Sequence, residues 1–101
     1  MKDIPAEPIA MIFYNRGVTK MRLGFIKEAV ANLTVVIDMM EYVPAEVVAN
    51  VLNNRGRAKA LLGDIEGAIA DFTAVIDMEN SPAEVVARAL EIRGIIEEHL
   101  N

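Results

Sequence analysis

Residues 44–78 read PAEVVANVLNNRGRAKALLGDIEGAIADFTAVIDM. Apolar residues recur every three or four positions through Val48, Val51, Leu52, Ala58 and Leu62, which is the spacing of one helix face. Pro44 suits a helix start, because a first-turn N–H has no partner to lose. Gly63 permits a left-handed helix end. Asp64 then offers a carboxylate to cap a second helix that runs from Ile65 to Met78. The stretch is therefore a helix, a tight turn and a second helix.

The same pattern is written on both sides of it. Pro-Ala-Glu stands at Pro5-Ala6-Glu7, Pro44-Ala45-Glu46 and Pro82-Ala83-Glu84, and Arg-Gly follows at Arg16-Gly17, Arg55-Gly56 and Arg93-Gly94. The period is 39 and then 38 residues. Leu23-Gly24 matches Leu62-Gly63, and both second halves end in Val-Ile-Asp-Met, at Val36 to Met39 and Val75 to Met78. The spacing predicts helices near 5–22, 26–40, 44–61, 65–78 and 82–100. Repeat one is 5–43, repeat two is 44–81, and a half-repeat or capping helix is 82–101. Ser81 and Glu84 have capping-box spacing. Tyr42, in the loop between repeats, is expected to pack on the third helix.

These residues resemble a tetratricopeptide repeat over essentially the whole chain. The resemblance is carried by Leu52-Asn53-Asn54-Arg55-Gly56, Leu62-Gly63-Asp64-Ile65, Ala68-Ile69 and Phe72, and by their counterparts from Phe13 to Leu33. The period exceeds the family's usual value of about 34. Arg16, Arg55 and Arg93 stand where the family usually has a core leucine, and Lys20, Lys59 and Glu97 where it usually has an aromatic. The resemblance implies an all-α fold, a short right-handed solenoid of antiparallel helix pairs in a single domain of about two and a half repeats. It also implies a groove, formed by the first helices, that binds peptides.

Composition narrows the function. The chain has 101 residues, 53% hydrophobic but only 5% aromatic, with 10 basic and 15 acidic side chains for a net charge of −5. An acidic chain without a basic stripe is a poor nucleic-acid binder. Without cysteine there is no disulfide, zinc thiolate or thiol nucleophile. No apolar run reaches membrane-spanning length, and the first residues lack the apolar core of a signal peptide. A cytoplasmic protein is the expectation. His99 is the only histidine, and Glu97, Glu98 and His99 are consecutive, so they splay around a helix and cannot share a metal. No nucleophile triad or phosphate-cradling glycine loop is present. The expectation is a non-enzymatic protein without cofactor, metal or small-molecule substrate.

Subtracting one repeat from the other locates the candidate site. Met11, Tyr14, Val18, Met21 and Phe25 stand where repeat two has Asn50, Asn53, Arg57, Ala60 and Asp64. The third copy has Arg88, Glu91, Ile95 and Glu98 at the matching places. Spacings of three and four put the five apolar residues on one helix face. In the resembled family that face lines the peptide groove. The implied groove is apolar in repeat one and polar beyond it, with Asn15 and Asn54 placed to hydrogen-bond a peptide backbone. The family's two-lysine carboxylate clamp is absent, since Tyr14, Val18 and Ile92 occupy its positions. Phe25 gives up a helix cap for an aromatic, which points to a use for the ring.

The partner-binding set is thus Met11, Tyr14, Asn15, Val18, Met21, Phe25, Asn50, Asn53, Asn54, Arg57 and Arg88. The partner is an apolar or amphipathic peptide or helix of another protein. The alternative is a second copy of the chain, or an engineered repeat scaffold, with the stripe on helix one as subunit interface. The repeated arginines carry two readings. One is a structural ladder to Asp38, Asp77 or the Pro-Ala-Glu glutamates, and the other is a cationic track for an acidic peptide.

Overall fold

The computed structural model describes residues 4–100. The chain folds into five α-helices, α1 (Ala6–Leu23), α2 (Ile26–Asp38), α3 (Ala45–Leu61), α4 (Ile65–Asp77) and α5 (Ala83–Leu100), with no strand among the described residues. Each helix packs on the next, and α3 also touches α1 and α5. The first helices α1, α3 and α5 therefore lie side by side, with α2 and α4 laid over the two seams. The result is a slab of 56 × 31 × 18 Å.

The turns follow from the glycines. Gly24 has φ 85° and Gly63 φ 84°, the only positive values among the described residues. At each, two backbone N–H groups double back onto the helix. The Phe25 N–H donates to the Lys20 carbonyl at 2.9 Å, and the Gly24 N–H to Met21 at 3.1 Å. Asp64 and Gly63 repeat this on Lys59 and Ala60 at 2.9 and 3.0 Å. A side chain at either glycine would be strained. Asp64 caps α4 as the sequence predicts, its Oδ1 accepting the Gly67 N–H at 3.0 Å. Phe25 stands at the matching N-cap of α2 with no side-chain hydrogen bond.

The core lies between the layers. Phe72, Leu33, Val36, Val51 and Val75 are its largest fully buried side chains, each stabilising by roughly 1.5–3 kcal/mol. Leu33 and Phe72 sit on glycines of the facing helix. A Cβ at Gly17 would lie 2.7 Å from Leu33, and one at Gly56 2.9 Å from Phe72. The Arg-Gly step therefore marks where each second helix crosses its first.

Three expectations need correction. Pro5 and Pro44 are the N-caps of α1 and α3, with φ −55° and −57° and extended ψ, one residue before the helix proper. The Pro44 carbonyl accepts the first helical bond, from Val48 at 3.1 Å. Ser81 is no capping box: its hydroxyl donates back to the Val75 carbonyl at 2.7 Å and ties the α4–α5 loop to α4. Between repeats, a 3₁₀ turn at Met40–Tyr42 rotates Tyr42 outward and buries Val43 in its place.

The arginine ladder exists in repeat two, but with another carboxylate. Arg55 grips Asp71 with Nε and Nη2 at 2.8 and 2.7 Å and donates Nη1 to Thr34 Oγ1 at 3.3 Å. Lys59 Nζ joins at 3.5 Å from Asp71. Asp71 precedes Phe72 and shares its buried face toward α3, whereas Asp38 and Asp77 are exposed at helix ends. Repeat one has Asn32 where repeat two has Asp71. Arg16 is accordingly exposed and lies 5.7 Å over the Phe13 ring.

Candidate functional site

α1, α3 and α5 leave an open cleft of about 490 Å³ on the side away from the core. One wall is apolar: Tyr14, Val18 and Met21 from α1, and Leu61 from α3. The sequence places the three α1 residues three or four positions apart, so they share one face of the helix. Tyr14 and Met21 are half-buried, with their inner parts against the core and the rest facing the cleft. Asn50 and Asn54 stand on α3, with the Asn50 amide donating back to the Glu46 carbonyl at 3.0 Å.

The rim is cationic. Arg22, Arg57 and Arg88, one from each first helix, line the cleft and are exposed. None of them forms an ion pair among the described residues, whose ion pairs run through Lys20, Arg55, Lys59 and Arg93. Half of the chain's six arginines thus converge on one cleft of a protein with net charge −5. A smaller hollow of about 340 Å³ continues it across α3 and α5, lined by Arg57, Ala60, Leu61, Ile92 and Ile96.

The expected site residues divide. Tyr14, Val18, Met21, Asn50, Asn54, Arg57 and Arg88 meet in the cleft. Met11, Asn15 and Phe25 do not line it. Phe25 is half exposed and carries the Lys20 ammonium 5.1 Å over its ring. Asn53 departs furthest from expectation. It is 6% exposed, and its amide donates to the Val85 carbonyl at 3.0 Å, which ties α3 to α5. Its Oδ1 is buried without a partner. Asn53 and Tyr14 share a repeat position, yet one is an internal tie and the other a cleft wall.

Two cleft residues were not anticipated. Arg22 and Leu61 are counterparts of each other, four residues after Val18 and Arg57. The i, i+4 rule extends the face to both. Among the described residues no cluster of His, Cys, Asp or Glu could hold a metal ion, and no helix is long and apolar enough to cross a membrane. His99 Nδ1 lies 2.8 Å from the carbonyl of Ile95 on its own helix.

Fold and cleft define a small helical-repeat protein with an open, amphipathic groove. No protein-family model, curated protein or solved structure matches the chain.

Proposed function

We propose that the chain is a non-catalytic binding module of tetratricopeptide-repeat type, whose cleft receives an amphipathic helix of another protein. The apolar side of that helix rests on Tyr14, Val18, Met21 and Leu61, and its acidic flank meets Arg22, Arg57 and Arg88. The single observation that carries this reading is the trio of unpaired guanidinium groups beside an apolar wall. Tyrosine, methionine and arginine are the residue types enriched at protein interfaces, and tyrosine and arginine among their hot spots. Guanidinium groups match carboxylates in bidentate geometry.

The test is a selection from a displayed library of helical peptides, with polar faces varied between Asp/Glu and Lys/Arg. The chain enriches acidic helices. The exposed substitutions Arg57→Glu and Arg88→Glu, which leave the core untouched, abolish that enrichment or invert it toward basic helices. Enrichment of basic helices by the unaltered chain, or equal enrichment by the double variant, contradicts the reading.

A second occupant has its own support. With three cations gathered in the cleft, the remaining surface is more acidic than the net charge of −5 indicates. A second copy of the chain therefore offers complementary charge. Sedimentation across concentration separates the two cases: a dimer dispersed by Arg57→Glu favours self-association.

A further inference from the structure

The α2–α3 and α4–α5 connections lie on the same edge of the slab and are built differently. In the second, Glu79 and Ser81 are polar, and the Ser81 hydroxyl is committed to the Val75 carbonyl at 2.7 Å. In the first, Met40 and Tyr42 take their places and are 53% and 55% exposed. The 3₁₀ turn holds them there. The Tyr42 N–H donates to the Met39 carbonyl at 2.9 Å and the Val43 N–H to the Met40 carbonyl at 3.2 Å, with Val43 buried. Two large apolar side chains thus project from a backbone that is already fixed, so little main-chain freedom is lost when they dock.

Carboxylates surround them. Glu41 stands between the two, Asp38 and Glu46 flank the turn, and Asp77, Glu79 and Glu84 belong to the neighbouring connection. All six are exposed, and none forms an ion pair among the described residues. No lysine or arginine occurs between Lys27 and Arg55, or between Lys59 and Arg88. Asp38 and Asp77 end α2 and α4, beside the negative pole of the helix dipole and with no basic residue in either last turn. The fold gains nothing from a carboxylate there. A cationic surface brought against the edge does.

This edge complements the cleft. It has an apolar pair among acids, where the cleft has Tyr14, Val18, Met21 and Leu61 beside the three arginines of its rim. Within one copy the two cannot meet. The turn is bonded into the end of α2 and the start of α3, and the Leu61 end of the cleft lies about 25 Å away along α3.

We propose that the Met40–Tyr42 turn of one copy docks in the cleft of a second copy, apolar pair on apolar wall and acids on arginines. This rests on the cleft as a docking site and names the segment that a second copy would place there. The contact joins two different patches. It either closes as a pair in which each turn fills the other's cleft, or runs on from copy to copy. An acidic helix of another protein competes for the same cleft and disperses the assembly.

The test divides the two patches between variants of the full chain. Met40→Ser with Tyr42→Ser removes the apolar pair and keeps the cleft. Arg57→Glu with Arg88→Glu removes the rim and keeps the turn. All four positions are exposed, and circular dichroism checks that both variants keep their helices. The interface is small, so sedimentation runs up to about 1 mM chain. The unaltered chain self-associates, and its dissociation constant rises several-fold between about 50 and about 500 mM salt. Each variant alone associates about tenfold more weakly or not at all. Mixed, the two recover a one-to-one complex, because one intact turn meets one intact cleft.

A chain that stays monomeric, association indifferent to Met40→Ser with Tyr42→Ser, or variants that do not complement would each overturn the proposal. Enrichment of acidic helices without self-association leaves the cleft as a docking site and overturns the turn as its occupant. Complementation without such enrichment supports the turn and removes the acidic helix of another protein.

Discussion

Repeats one and two share a backbone plan and differ in what their polar positions do. In repeat two, Asp64 caps α4, Asn53 ties α3 to α5, and Arg55, Lys59 and Asp71 join across the helix crossing. In repeat one, Phe25 replaces the cap, Tyr14 replaces the tie, and Asn32 replaces the acid. Each exchange removes an internal polar link, and two of the three put an aromatic at least partly in reach of solvent. Residues that differ between otherwise repeated units report local use, whereas the shared ones serve the stack. Repeat two is braced on itself, and repeat one instead lines the cleft with Tyr14, Val18 and Met21, the wall proposed to meet a partner.

Substitutions in matched pairs break or sharpen that contrast, and denaturant unfolding measures them. The largest effect belongs to the shared core. Phe72→Ala should cost about 3–5 kcal/mol and Leu33→Ala about 2–5 kcal/mol, and a cheap loss at either would mean the two crossings are not equivalent. Next comes the rung. Asp71→Asn strips Arg55 and Lys59 of a carboxylate that is almost wholly buried, at about 3 kcal/mol. The mirror change Asn32→Asp, at a position whose amide donates to the Glu28 carbonyl on its own helix, should alter stability by about 1 kcal/mol or less. A silent Asp71→Asn would erase the distinction between the repeats.

Smaller effects test the caps. Asp64→Ala should cost about 1 kcal/mol, and Phe25→Asp, which restores the cap to α2, should add up to about 1 kcal/mol. If Phe25→Asp destabilised instead, the ring would be holding the fold and not serving a contact. Smallest is the solvent-exposed pair of Lys20 and Glu28 at 3.3 Å. Glu28→Gln should change stability by about 0.5 kcal/mol, with the effect fading as salt is added.

The helices, their turns and their pairing were legible because the chain writes its unit more than twice. Gly24, Gly63 and Asp64 announce backbone needs that few other residues meet. The rung was legible only as far as the arginines. Which acid they find depends on how α4 is rotated on α3, and Phe72 seated on Gly56 fixes that rotation. Tyr42 was misplaced, since a 3₁₀ turn shifts the side-chain phase and buries Val43 in its stead, and local pattern gives no warning of it. Asn53 was misplaced because a position's place in the repeat does not set its depth. In repeat two the α5 backbone closes over it and accepts its amide proton. Arg22 and Leu61 lay within reach of the same periodicity that found Val18 and Arg57.

The cleft between α1, α3 and α5 is the face proposed to meet a partner. Backbone amide shifts of the full chain, followed as the strongest selected acidic helix is added, test this most directly. Binding in the cleft should cluster the shifts at Tyr14, Val18, Met21, Arg22, Arg57, Leu61 and Arg88, with α2 and α4 little changed. Shifts confined to α2 and α4, or spread evenly over all five helices, would contradict it.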